Sequence, residues 1–157
     1  LIGGIIAVLY VFCIKYINII RESLFKLFLC DTGLLCHYLY SDNVVRILNN
    51  DVNVNYGSIY ENVVAQMLAA KGDELFYHTI MNETSRHNYE IDFLLSKKNK
   101  ICPMEVKSSG YNTHKSLDAF SEKYSERILE KYLVYTKDLK KDKDILMMPV
   151  YLLPFMR

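Results

Sequence analysis

The sequence predicts an α/β domain, a mixed β-sheet flanked by helices, with a core in the order helix, three strands, helix, strand. Three observations carry this reading. Ile59, Val63, Met67 and Ala70 recur at helical spacing, with Val64 and Leu68 widening the stripe. Short apolar runs follow: "ELFYHT", "YEIDFLLS" and "KICPMEVK". Leu117, Phe120, Tyr124 and Ile128 then mark a second amphipathic helix, and "KYLVYT" returns to strand composition.

Each element has its own signals. Before the first helix, "SLFKLFLCDTGLLCHYLY" reads as a short strand and a helix opening near Asp31 or Thr32. "SDNVVRILNNDVNVNYG" reads as an amphipathic helical piece and an Asn-rich loop. Ser58 is the expected N-cap of the main helix and Gly72 its stop. The polar stretch Lys97 to Lys100 is the turn between two paired strands, whether two or four residues long. A last strand is expected in "LMMPVYLL", with Pro149 marking a sheet edge.

Length and composition suit one domain. The chain has 157 residues, 51% hydrophobic and 24% charged, with a formal net charge of +1. That excludes a global basic field, although a local patch would serve a nucleic acid as well. Cys13, Cys30, Cys36 and Cys102 show no C-x-x-C spacing and are expected as buried thiols in a reducing, cytoplasmic setting. Only 14 residues precede Lys15, short of the ~20 that cross a bilayer, so no membrane partner is expected. The chain opens with Leu, and residues 1–50 are expected to be the partial N-terminal remnant of a larger protein, with the folded domain at 51–157.

The charges of "EIDFLLSKKNKICPMEVK" need a reason. With Lys97 opposite Lys100, Asp92 lies opposite Glu105 and Glu90 opposite Lys107. Strict alternation puts all four on one face, with Ile91, Phe93, Met104 and Val106 on the other. Glu90 and Lys107 make an ordinary cross-strand pair. Two opposed carboxylates repel unless a proton or a cation lies between them. Two acids at one point suit Mg²⁺, and a lysine beside them would help activate water for phosphodiester hydrolysis. A solvated charged face is the alternative. Glu61 has a structural role open to it as well, since Ser58 and Glu61 form an S-x-x-E capping box.

Together these elements resemble the PD-(D/E)XK nuclease superfamily, with its restriction-endonuclease-like core of αβββαβ order. "LFKLFLCDTGLL", "YGSIYENVVAQML", "YEIDFLL" and "MEVKSS" resemble, more narrowly, the C-terminal domain of unknown function that follows AAA-type ATPase domains in bacteria and archaea. The resemblance implies a catalytic set of Glu61, Asp92, Glu105 and Lys107, with the three acids holding Mg²⁺ or Mn²⁺ and the lysine assisting water. It also implies DNA as a partner and an upstream ATPase domain in the same protein. A nuclease would want a basic rim, for which Lys97, Lys98, Lys100, His114 and Lys115 are candidates, with Ser108 and Ser109 for phosphate; a solvated turn and a serine-rich loop are the alternatives.

Many members of that superfamily bind or regulate without cutting. The competing reading is therefore an inactive nuclease-fold module for DNA binding, homo-oligomerisation or control of the ATPase part. Burial demanded by Ile5, Ile6, Val8, Leu9, Val11 and Phe12 favours it. No G-x-x-x-x-G-K-[ST] occurs, so ATP is not expected to bind this chain. His37, His78, His87 and His114 bracket no nucleophile, and no G-x-S-x-G exists, which argues against a serine or cysteine hydrolase.

Overall fold

The computed structural model describes residues 11–16, 25–40, 44–81 and 88–156. Residues 5, 6, 8 and 9, the side chains of residues 11 and 12, and His87 lie outside what is described. The elements are β1 (Val11–Tyr16), β2 (Phe25–Leu29), α1 (Thr32–Tyr40), α2 (Val44–Leu48), α3 (Tyr56–Ala70), β3 (Phe76–Ile80), β4 (Tyr89–Lys97), β5 (Lys100–Val106), α4 (Lys115–Tyr124), β6 (Lys131–Tyr135), β7 (Lys140–Asp142) and β8 (Ile145–Pro149). They form one mixed sheet in the order β2-β1-β3-β4-β5-β6-β8-β7. β1 and β2, which precede residue 51, are part of this same sheet.

Two cores sandwich the sheet. On one face Val64, Ala65 and Leu68 of α3 pack on Phe93, Leu95, Cys102, Met104, Val106 and Val134. On the other, Leu117 and Phe120 of α4 pack on Ile80, Ile91, Leu94, Leu133 and Tyr135. The helical stripe is rotated from the expected one. Ile59, Asn62, Val64, Ala65 and Leu68 are buried, while Ala70 is exposed.

α3 also begins earlier than expected. Asn55 caps it, its Oδ1 accepting from the Ser58 N–H at 3.3 Å. Ser58 lies inside the first turn and donates its Oγ–H to the Asn55 carbonyl at 3.0 Å. The expected capping box is therefore not formed. Glu61 sits beyond the first turn and is free for a long-range role. The stop is as expected, with Gly72 at φ +86°.

The β4–β5 hairpin adopts the expected register, from Lys97↔Lys100 to Phe93↔Met104. Its turn is the two-residue one. Lys98 and Asn99 both take positive φ, 50° and 61°, whose twist matches that of the flanking strands. Pro149 does not mark the sheet edge, since β8 lies between β6 and β7. Pro149 is the last residue of β8, paired with Tyr135 of β6 and past the last β8 residue that β7 pairs, so the proline sits at the end of the strand rather than at the edge of the sheet.

No helix among the described residues is long and apolar enough to cross a membrane. Cys102 is buried as expected. Cys30 and Cys36 are only half-buried, Cys36 because its helix α1 has no buried residue, and these three thiols are free; the side chain of residue 13 lies outside what is described.

Candidate functional site: a carboxylate cluster at the split between two strands

Two local departures from regular pairing build the site. Between Phe76↔Leu94 and His78↔Ile91, β4 spends one residue more than β3. This bulge falls at Asp92 and Phe93. It breaks the strict alternation expected there: Ile91 packs on the α4 side and Phe93 on the α3 side. Beyond Phe93↔Met104 the β4–β5 ladder stops. There the Asp92 Oδ2, rather than a backbone carbonyl, accepts the Val106 N–H at 2.8 Å.

The other departure is at the sheet edge. β1 meets β3 over only two rungs, Lys15↔Phe76 and Tyr16↔Tyr77. β2 stands three places from β4 in strand order, yet its side chains touch β4. The β1–β2 hairpin therefore curls over the α3 face, bringing the Phe28 ring to 5.8 Å from that of Phe93. Asn62 of α3 clamps the end of β2: its Oδ1 accepts from the Leu29 N–H at 2.8 Å, and its Nδ2 donates to the Leu29 carbonyl at 2.9 Å.

This curl carries Lys26 into the centre of the acids. Its Nζ lies 3.4 Å from Glu61 Oε2 and 3.4 Å from Asp92 Oδ1, pairs with Glu90 Oε1, and stands 5.6 Å from the Tyr77 ring centre. Burial alone would lower the Lys26 pKa, but Asp92, Glu61 and Glu90 together raise it above the usual lysine range. Asp92 is 8% exposed. Its burial, followed by the charge of Glu61, pushes its pKa up to about 7, against the opposing pull of Lys26 and the Val106 N–H.

Glu105 and Lys107 are placed differently. Glu105 lies between Met104 and Val106, which both face α3, so its side chain turns to the α4 face. There its Oε1 pairs with Lys107 at 3.2 Å, and its Oε2 is buried without a hydrogen-bond partner. Burial raises the Glu105 pKa, Lys107 and His114 oppose the rise, and Asp118 adds to it. Lys107 donates to the Thr113 carbonyl at 2.6 Å. The expected constellation is thus divided. Glu61, Glu90 and Asp92 gather on the α3 side, Glu105 and Lys107 on the other, and the bulge at Asp92 is the cause. No group of three or more His, Cys, Asp or Glu among the described residues has the arrangement of a metal cage.

The rim residues scatter too. Lys98 and Lys100 are exposed at the hairpin tip, about 20 Å along β4 from Asp92 at ~3.3 Å per residue. Lys97 donates to the Tyr132 hydroxyl at 3.0 Å. Lys115 is exposed at the start of α4, and His114 Nε2 lies 3.7 Å from Asp142. His78 is a core residue, its ring edge-on to Phe120 and Tyr124. Ser108 and Ser109 line a cleft of about 630 Å³ with Asn55, Tyr56 and Thr136, where the start of α3 meets the ends of β5 and β6. A second cavity of about 440 Å³, lined by Phe28, Leu35 and Leu39, opens onto Lys26 and Glu61.

Sequence reasoning missed Lys26 and Asn62. Lys26 shares a strand face with Phe28, and a charge on an inward-facing strand position was the available signal. Asn62 carried one as well, a polar residue inside the apolar stripe of α3.

No curated protein and no solved structure matches the chain. The family model of the domain of unknown function DUF4143 matches residues 56–153. The match begins at the first residue of α3 and ends within the 3₁₀ segment after β8 (Val150–Phe155), so it spans α3, α4 and the strands β3 to β8. The chain belongs to the DUF4143 family.

Proposed function

We propose that this chain is a nuclease-like module of a larger AAA-type ATPase, and that its Glu61–Asp92 cluster binds Mg²⁺ or Mn²⁺ to hydrolyse phosphodiester bonds in DNA. The observation that carries the reading is the convergence of carboxylates from α3 and β4 on one cationic point at the strand split. The donor set is all oxygen, which suits a hard divalent ion. Three carboxyl groups, Glu61, Glu90 and Asp92, share the single charge of Lys26, so the cluster is short of positive charge and a divalent ion in place of the ammonium would match it better. A bound ion would supply electrophilic activation of the phosphate. The chain's part is to fix Asp92 through the Val106 N–H, to aim Glu61 from a rigid helix, and to offer the hydroxyls of Ser108, Ser109 and Thr136 to a phosphate-bearing polymer in the neighbouring cleft.

One observation favours the second reading, a non-catalytic module that binds DNA, pairs with another copy or regulates the ATPase part. Glu105 and Lys107, the E-x-K pair, are engaged with each other and with Thr113 on the α4 face. Hydrolysis by the superfamily's chemistry needs them to join Asp92.

Calorimetric titration of Mn²⁺ into the wild-type chain and Asp92→Asn tests the metal site. Saturable binding is expected, weakened at least tenfold in the variant. Equal binding, or none to either protein, would remove the metal site. Nicking of supercoiled DNA with Mn²⁺ then separates the two readings, since cleavage that disappears in Asp92→Asn belongs to the first alone.

A further inference from the structure

Lys26 belongs to none of the motifs by which the site is recognised, yet it is the group that the acids surround. The E-x-K lysine, Lys107, is held at the Thr113 carbonyl on the other face. Lys26 reaches Glu61, Glu90 and Asp92 from the curled β2 strand, with its side chain 20% exposed. Two elements of fixed geometry set its position: Asn62 pins the end of β2 to α3, and the Phe28 ring packs against Phe93 two residues along.

We propose that Lys26 is the resident cation of the cluster: its ammonium neutralises Glu61, Glu90 and Asp92, and a divalent ion reaches these carboxylates only when Lys26 withdraws. The Lys26 ammonium fills the space between Glu61 Oε2 and Asp92 Oδ1, 3.4 Å from each, and a metal shared by the two oxygens would need that space, with both drawn in to about 2.1 Å. The adjoining cavity of about 440 Å³, lined by both Lys26 and Glu61, gives the side chain room to move without unfolding β2. Lys26 is thus a positioning residue with two linked effects. It holds the acids together in the metal-free protein and sets the concentration of metal needed to load them. The second effect rests on the metal reading above, and the first stands without it.

The test uses the whole chain with Lys26→Met, which keeps an unbranched apolar stem one atom shorter and removes the charge. In Mn²⁺ calorimetry the variant should bind at least tenfold more tightly than wild type, having lost its competitor. In thermal unfolding without metal at pH 8, Lys26→Met should melt roughly 5 °C or more below wild type, because the three acids then either repel one another or must take up protons to fold. Adding Asp92→Asn to it should recover most of that loss, which loss of packing alone would not allow. Unchanged or weaker Mn²⁺ affinity in a folded Lys26→Met protein would overturn the competition. A double variant that melts no higher than Lys26→Met would overturn the neutralising role. If neither wild type nor Lys26→Met binds Mn²⁺, the metal reading and the competition fall together, and the melting comparison alone decides whether Lys26 neutralises the acids.

Discussion

Asp92→Asn should flatten the pH dependence of stability between pH 4 and pH 7. The folded protein holds the Asp92 proton up to about pH 7, whereas the unfolded chain releases it near 3.8. Over that window the native state binds more protons than the unfolded one, so stability falls as pH rises and levels off above 7. A shift of this size corresponds to a loss on the order of 3–4 kcal/mol across the window. The groups facing Asp92 set the size of the effect. Glu61 and Glu90 raise the pKa, while Lys26 and the Val106 N–H oppose them. Glu105, also raised by burial, adds a loss of the same sign. Lys26 does not change charge in this range, since its pKa lies above the ordinary lysine value. Urea unfolding of wild type and Asp92→Asn at several pH values reads the difference directly. The variant should be the more stable above pH 7, and parallel curves would show that Asp92 is ionised throughout.

The second large effect is expected at Asn62. Its amide occupies both the N–H and the carbonyl of Leu29 and donates to Thr32 Oγ1 at 2.9 Å, at a position only 2% exposed. Asn62→Leu would take these partners from the half-buried Leu29 N–H and carbonyl, at a cost of about 1–3 kcal/mol for each group left unsatisfied, while Thr32 Oγ1 keeps its bond to Gln66. A total of about 3 kcal/mol is expected, since the end of β2 is partly accessible. The functional consequence follows from what β2 carries. With its clamp gone, Lys26 loses its fixed place over the acids, so Mn²⁺ binding should change along with stability. Gln66 accepts from the Thr32 N–H and hydroxyl at 3.1 and 2.9 Å and would limit the damage to β2 rather than to α1.

What the sequence made legible was local. The polar turn at Lys98–Asn99 and the apolar runs beside it specify the hairpin and its register, because a two-residue turn leaves no choice of pairing. Gly72 stops α3 for an equally local reason. Asn55 displaced Ser58 as the cap because Asn caps as well as Ser does, and the choice was made three residues upstream.

The site is where local reasoning stopped. The bulge at Asp92 is set by how β3 pairs on the far side of β4, and no pattern within "YEIDFLL" announces it. That single extra residue moves Asp92 off the face of Glu105 and divides a constellation that alternation alone would unite. Lys26 depends on a longer-range event still, the curling of an edge hairpin over α3. The capping role open to Glu61 fell away for a simpler reason, since a helix beginning at Tyr56 leaves Glu61 too far from its own N-terminus.

Lys26 holds the place between Glu61 and Asp92 that a shared divalent ion would need. The most direct measurement is anomalous diffraction from crystals of the chain grown with and without Mn²⁺. A manganese peak is expected between Glu61 and Asp92, with the Lys26 side chain withdrawn into the adjoining cavity. A peak on Glu105 and His114 with Lys26 unmoved, or no peak at saturating Mn²⁺, would contradict it.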